Sequence, residues 1–157
     1  MKLAWSLSLE GPWADYMNTK YKSRDGSWIA YHRSSALWPS LRKTINTMKP
    51  NVGWMIGDGQ KIDIWRDAWA GEDSVQDKLQ NLNWQNFKSK LCDVISNRNW
   101  DLPDSVHEIF HRVGIDLSRV MQPSGEEDYK IWKPDKLGVF SVKSAFNIIR
   151  KKEQKVW

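Results

Sequence analysis

The chain has little of the chemistry on which small enzymes and secreted proteins usually depend. Cys92 is its one cysteine, so no disulfide can form within the chain and no thiolate-rich zinc cluster can be assembled. A reducing, intracellular setting, cytoplasmic or nuclear, is the expectation that follows. His32, His107 and His111 are all the histidines, and no two aspartates are adjacent anywhere. Long apolar runs are missing too. The first ten residues mix a charge with leucines, but serines interrupt them and Glu10 closes them, which is too short and too polar for a leader or a membrane span. Internal repeats and low-complexity tracts are likewise absent from the sequence.

What the chain does have is tryptophan. Eleven of its 157 residues are Trp, and these carry much of the burial capacity of a sequence that is 40% apolar, enough for one domain with a core or a small domain with extended flanks. The net charge of +5 is unevenly distributed. Residues 1–50 sum to +5, residues 51–130 to −5 and residues 131–157 to +5. Basic flanks around an acidic middle fit contact with a polyanion, docking of the flanks on the middle, or solvated surface charge.

Periodicity predicts short helices through Leu3 and Leu7 and, after Gly11-Pro12, through Trp13, Tyr16, Met17 and Tyr21. A third helix is expected from Ser34 or Ser35, with Leu37, Leu41, Ile45 and Met48 facing a core, until Pro50 stops it. Residues 90–95 read as helical, and Asn97 to Pro103 as a turn around Trp100. A helix from Asp104 or Ser105 through Val106, Ile109, Phe110 and Val113 should stop at Gly114. The last helix is predicted from Val142, capped by Ser141.

The organising stretch is Gly53 to Gly71, GWMIGDGQKIDIWRDAWAG. Trp54-Met55-Ile56 and Ile62-Asp63-Ile64-Trp65 flank Gly57-Asp58-Gly59, which predicts a β-hairpin with Trp54, Trp65 and Trp69 as a packed aromatic nucleus. A second hairpin is expected from Tyr129–Trp132 and Val139–Val142, with Gly138 at a positive-φ turn position. The predicted fold class is therefore α+β, mostly helical, with short helices and two small antiparallel hairpins. Gly57-Asp58-Gly59 lacks the spacing of a phosphate loop, and its aspartate would repel phosphate.

The pattern Gly53-Trp54-x-Ile56-Gly57-Asp58-Gly59-x-x-Ile62-x-Ile64-Trp65-x-Asp67-x-Trp69 resembles a segment of plant non-LTR (LINE-type) retroelement reverse transcriptase polyproteins. Lys2–Trp5, Trp13–Met17, Ser34–Pro39, Asp128–Trp132 and Gly138–Phe146 agree in order, so the resemblance spans nearly the whole chain. It implies the region between the polymerase core and the zinc-binding reverse-transcriptase domain. In those terms residues 1–50 form a basic helical segment, 51–122 a Trp-rich hairpin plus helices, and 123–157 a hairpin and helix resembling the start of the zinc-binding domain. The parent family is an RNA-directed DNA polymerase, but its zinc ligands, polymerase carboxylates and any ribonuclease H carboxylates find no counterpart in these residues. The resemblance thus implies a piece of a polyprotein.

Catalytic chemistry has few candidates. Two-metal phosphoryl transfer needs converging carboxylates, and on an extended strand Asp63 and Asp67 would stand about 13 Å apart, with Asp58 on the turn. His107-Glu108-Ile109-Phe110-His111 spells His-Glu-x-x-His, the arrangement of a zinc metallopeptidase, with Glu126, Glu127 or Asp128 as conceivable third ligands. The expectation is nonetheless no catalysis, no catalytic or metal residues and no cofactor. Basic residues interleaved with aromatics suit RNA or single-stranded DNA: Lys20, Lys22, Arg24, Trp28, Tyr31 and Arg33, with Lys143, Arg150, Lys151 and Lys152 as a second patch. The function expected is a non-catalytic linker and nucleic-acid-contacting module, the alternative a structural remnant or protein-docking segment; no membrane partner is expected.

Overall fold

The structure is a computed structural model that describes the backbone of residues 1–30 and 36–154 and the side chains through Arg150 within those ranges. The fold is α+β and mostly helical, with two small two-stranded sheets. The chain divides into two compact units, one of residues 1–52 with 131–157 and one of residues 53–130. The expected basic segments at the two ends of the sequence therefore fall in one unit, and each unit has its own apolar core.

The first unit contains α1 (Lys2–Ser6), α2 (Pro12–Tyr21), α3 (Leu37–Met48) and α6 (Val142–Gln154). Pro12 occupies the first turn of α2, where its missing N–H costs nothing, and Ala14, Met17 and Tyr21 form the buried stripe. In α3 the core-facing residues are Trp38, Leu41 and Met48, with Ile45 packed beside them; Leu37, expected inside, is exposed. Trp38 takes that place because Tyr21 stacks on it at 4.1 Å and Trp28 leans on it at 5.5 Å. Ser34 and Ser35, the expected caps, lie outside the described residues, and Ala36 precedes the helix.

Near the end of the chain, Trp132 meets Trp5 and Phe140 edge-on at 5.9 and 5.2 Å, while Trp5 and Phe140 stack at 4.9 Å. Such pairs contribute about 0.5–1.5 kcal/mol each beyond the area they bury. The Trp132 indole N–H donates to the Ser144 hydroxyl at 2.9 Å, and Ser141 caps α6 by accepting from the Ser144 amide. Gly138 adopts a φ of +73° in the tight loop after Trp132. That loop is closed by Asp135, whose carboxylate accepts from the Leu137 and Val139 amides.

β1 (Val52–Met55) and β4 (Tyr129–Trp132) form the first small sheet. The second is a true hairpin, β2 (Ile95–Ser96) with β3 (Asn99–Trp100), whose turn residues Asn97 and Arg98 have φ of 50° and 62°. Two consecutive positive φ values are the signature of the primed turns that suit hairpin twist. The expected helix over 90–95 is instead a short 3-10 turn, Leu91–Val94, leading into β2.

Both predicted hairpins are corrected by this topology. Tyr129–Trp132 is a strand, but residues 139–141 form no strand opposite it. Beyond β1, the Ile56 and Gly57 carbonyls accept from the Ser124 and Gly125 amides, so this stretch lies beside residues 124–125 and not beside Ile62–Trp65. The intended second arm coils into a turn: the Asp63 carboxylate accepts from the Trp65 and Arg66 amides, and Asp67 accepts from the Asp63 amide. Alternation is lost, which is why Ile62, Ile64 and Trp65 are all buried.

Candidate nucleic-acid interface

The centre of the second unit is an intramolecular anion cradle. Asp128, 1% exposed, places one carboxylate oxygen 2.7 Å from the Gly57 amide and 3.0 Å from the Gly59 amide, and the other 2.9 Å from the Lys61 amide. Successive backbone N–H groups in a turn make a concave site for negative charge, and here the chain's own carboxylate fills it. Glycine is required: a Cβ on Gly57 would lie 2.1 Å from the Glu126 carbonyl oxygen, and Gly59 has a φ of +78° with Cys92 N at 2.5 Å from its would-be Cβ. Trp65 and Trp69 are buried in this core, against Phe110, as the sequence suggested, while Trp54 is half-buried under the Lys130 ammonium.

Most of the acidic residues considered as metal ligands have partners within the chain, Asp58 accepting from the Gln60 amide. Asp128 holds backbone amides and Glu127 pairs with Lys61 at 2.7 Å. Asp63 and Asp67, expected far apart on a strand, are drawn together by the turn, where backbone amides and Arg66 engage them. His107, Glu108, His111 and Arg112 line an open depression on α5 (Asp104–Arg112). Among the described residues no three His, Cys, Asp or Glu side chains gather as a metal-holding group. Burial, then the neighbouring Asp93, pushes the Cys92 thiol above its ordinary 9.0, away from the reactive thiolate.

Cationic and aromatic side chains meet in the first unit. The Lys22 ammonium sits 5.1 Å from the Trp28 ring, and Lys20 lies 5.5 Å from Tyr16 and 5.4 Å from Tyr21. Lys20 also donates to the Tyr16 hydroxyl at 3.2 Å, a contact that, with the charge interactions of both tyrosines, raises its pKa above 10.5. Arg24 is exposed in the turn that Ser23, Asp25 and Ser27 close by hydrogen bonding. Lys143 and Arg150 are exposed on α6. Tyr31 and Arg33 lie outside the described residues, as do the side chains of Lys151 and Lys152.

The sequence reading passed over two residues. Trp13 and Tyr16, whose spacing with Met17 and Tyr21 predicts the helix, are both exposed. Each sits one position before a buried residue, Ala14 or Met17. That offset of about 100° on a helix was the available signal.

Fold and surface together define a small, mostly helical α+β protein of two units. The first carries fifteen basic and five acidic residues, a formal charge of +10, and the second carries −5. The chain is similar to an Arabidopsis thaliana protein named, by inference, as a ribonuclease H protein, with 28% identity over 164 residues covering 94% of this chain. It spans 26% of that protein's length. No family model and no solved structure matches it. Among the described residues no helix is long and apolar enough to cross a membrane.

Proposed function

We propose that this chain is a non-catalytic segment of a plant retroelement polyprotein of the LINE reverse-transcriptase type, in which the basic unit contacts RNA or single-stranded DNA. The observation that carries this reading is the union of the two basic ends in one folded unit of charge +10. A shared core concentrates cations that the sequence separates by some eighty residues, and concentrated positive charge is the footprint of polyanion binding. The similarity to a protein named for ribonuclease H, an activity on nucleic acid, supports the same direction. In the polyprotein the segment links the polymerase core to the zinc-binding domain, and it works inside the cell.

The test is fluorescence anisotropy of the intact chain with a labelled single-stranded 20-mer RNA over a series of salt concentrations. Binding is expected to weaken log-linearly with salt, by a slope of about −0.7 for each phosphate neutralised. No binding at low salt, or binding indifferent to salt, overturns the reading. Primer extension and RNA cleavage by the same preparation are expected to stay at background.

A further inference from the structure

We infer that Trp13 and Tyr16, on the exposed face of α2, are a stacking platform for unpaired nucleotides, with Lys20 beside them as the cation for the adjoining phosphate. The inference rests on the nucleic-acid reading above and identifies which aromatics of the basic unit meet the bases.

Two rings close to the basic run are engaged in packing, and Tyr31 lies outside the described residues. Tyr21 is 3% exposed and stacked on Trp38, and Trp28 leans on Trp38, so both are engaged in the core. Trp13 and Tyr16 are 36% and 54% exposed. They stand one helical turn apart with ring centroids at 6.4 Å and planes inclined by only 28°, so both rings present flat faces in similar orientation. Tyr16 is further held by the Lys20 ammonium, which donates to its hydroxyl and sits over its ring, so the platform is ordered before any ligand arrives.

The chemistry of this surface selects its ligand. Two flat aromatic faces beside a cation match a base joined to a phosphate, and stacking tolerates any base because every base has a π face. A duplex buries those faces in its own stack, which favours single strands. The surrounding charge agrees: from Pro12 to Arg24 there are three cations, Lys20, Lys22 and Arg24, against the single carboxylate of Asp15.

The experiment compares wild type with Trp13→Ala, Tyr16→Ala and Trp13→Phe, all at exposed positions, with folding checked by amide NMR. Ligands are a 12-mer of uridines, the thymidine equivalent in DNA, and an abasic strand of equal length and charge. Each alanine variant should weaken binding to the base-bearing strands by roughly five- to a hundredfold, as loss of one stacked base does, and leave abasic binding unchanged. Trp13→Phe should retain most of the affinity. Lys20→Ala should weaken all three ligands and flatten the salt dependence by about one phosphate, with a further loss on the base-bearing strands because Tyr16 is no longer held. Equal losses on RNA and DNA, or a larger loss on one, both support the platform and report which strand it prefers. If wild type binds in a salt-dependent way but the alanine variants bind as tightly, the platform is overturned and the broader reading stands. If wild type binds none of the strands, both fall.

Discussion

The carboxylate of Asp128 accepts a hydrogen bond from the Gly57 amide at 2.7 Å, across 71 residues of sequence. With Gly59 and Lys61 as further donors, one buried charge satisfies three backbone amides of the loop that the motif Gly57-Asp58-Gly59 forms. The loop is held from outside and needs no strand partner of its own.

Asp128→Ala leaves three inward-facing amides without their acceptor. Hydrogen bonds to a charged group contribute about 1.5–3 kcal/mol each, and orphaned buried donors cost more. A loss of at least about 3 kcal/mol is expected in urea titrations followed on amide resonances of residues 53–130. Asp128→Asn should lose less, because one amide oxygen still accepts.

Gly57→Ala and Gly59→Ala should each destabilise the same unit by about 2 kcal/mol or more, since a methyl would meet backbone at 2.1 and 2.5 Å. At Gly59 the left-handed φ adds its own cost. Gly71→Ala, with nothing within 4 Å, is the control and should lie within about 0.5 kcal/mol of wild type.

Ser74, 3% exposed, caps the short helix α4 (Val75–Lys78) in a reciprocal box with Asp77. Ser74→Ala should cost about 1 kcal/mol and lower the thermal midpoint by a few degrees. Ser74→Thr should recover most of the loss, because the threonine hydroxyl can accept the same amide.

Asp25 titrates below its ordinary 3.8, chiefly because the Ser23 hydroxyl donates to its carboxylate, and next because the Ser27 amide does. A depressed folded pKa makes the carboxylate stabilising at pH well above 3.8, and that contribution is lost as the pH falls through the folded value. Ser23→Ala should move the Asp25 pKa upward, read by carboxyl carbon NMR, and move the acid-side loss of the turn to higher pH.

Zinc measured by elemental analysis after dialysis of the purified chain is expected to be substoichiometric. His107 and His111 share a helix face, and of the three carboxylates named as third ligands Asp128 is held by backbone amides and Glu127 by Lys61. Stoichiometric zinc that survives dialysis would overturn the non-catalytic reading.

Local signals survived folding wherever the physics was local. Pro12 at the start of α2, Gly114 after α5, Ser141 before α6 and the positive φ of Gly138 all follow from a residue and its immediate neighbours. The buried positions of Trp65 and Trp69 were legible because large apolar rings flanking a turn are core residues. The candidate site was legible less fully. Charge and aromatic composition marked residues 20–33, but which rings were free depended on a rotation of about one position around α2.

Alone, the sequence determined the α+β class, the helix boundaries set by capping and proline, and the supply of tryptophan and charge. Tertiary structure decided what paired with what. Asp-Gly chemistry permits a hairpin at Gly57-Asp58-Gly59, but a carboxylate 71 residues away satisfied the loop amides and left the Asp63 turn to coil. It also decided that two basic ends share one core, because Trp5, Trp132 and Phe140 bury one another across more than a hundred residues. Propensity acts between neighbours in sequence, whereas burial and the satisfaction of buried charge act between neighbours in space.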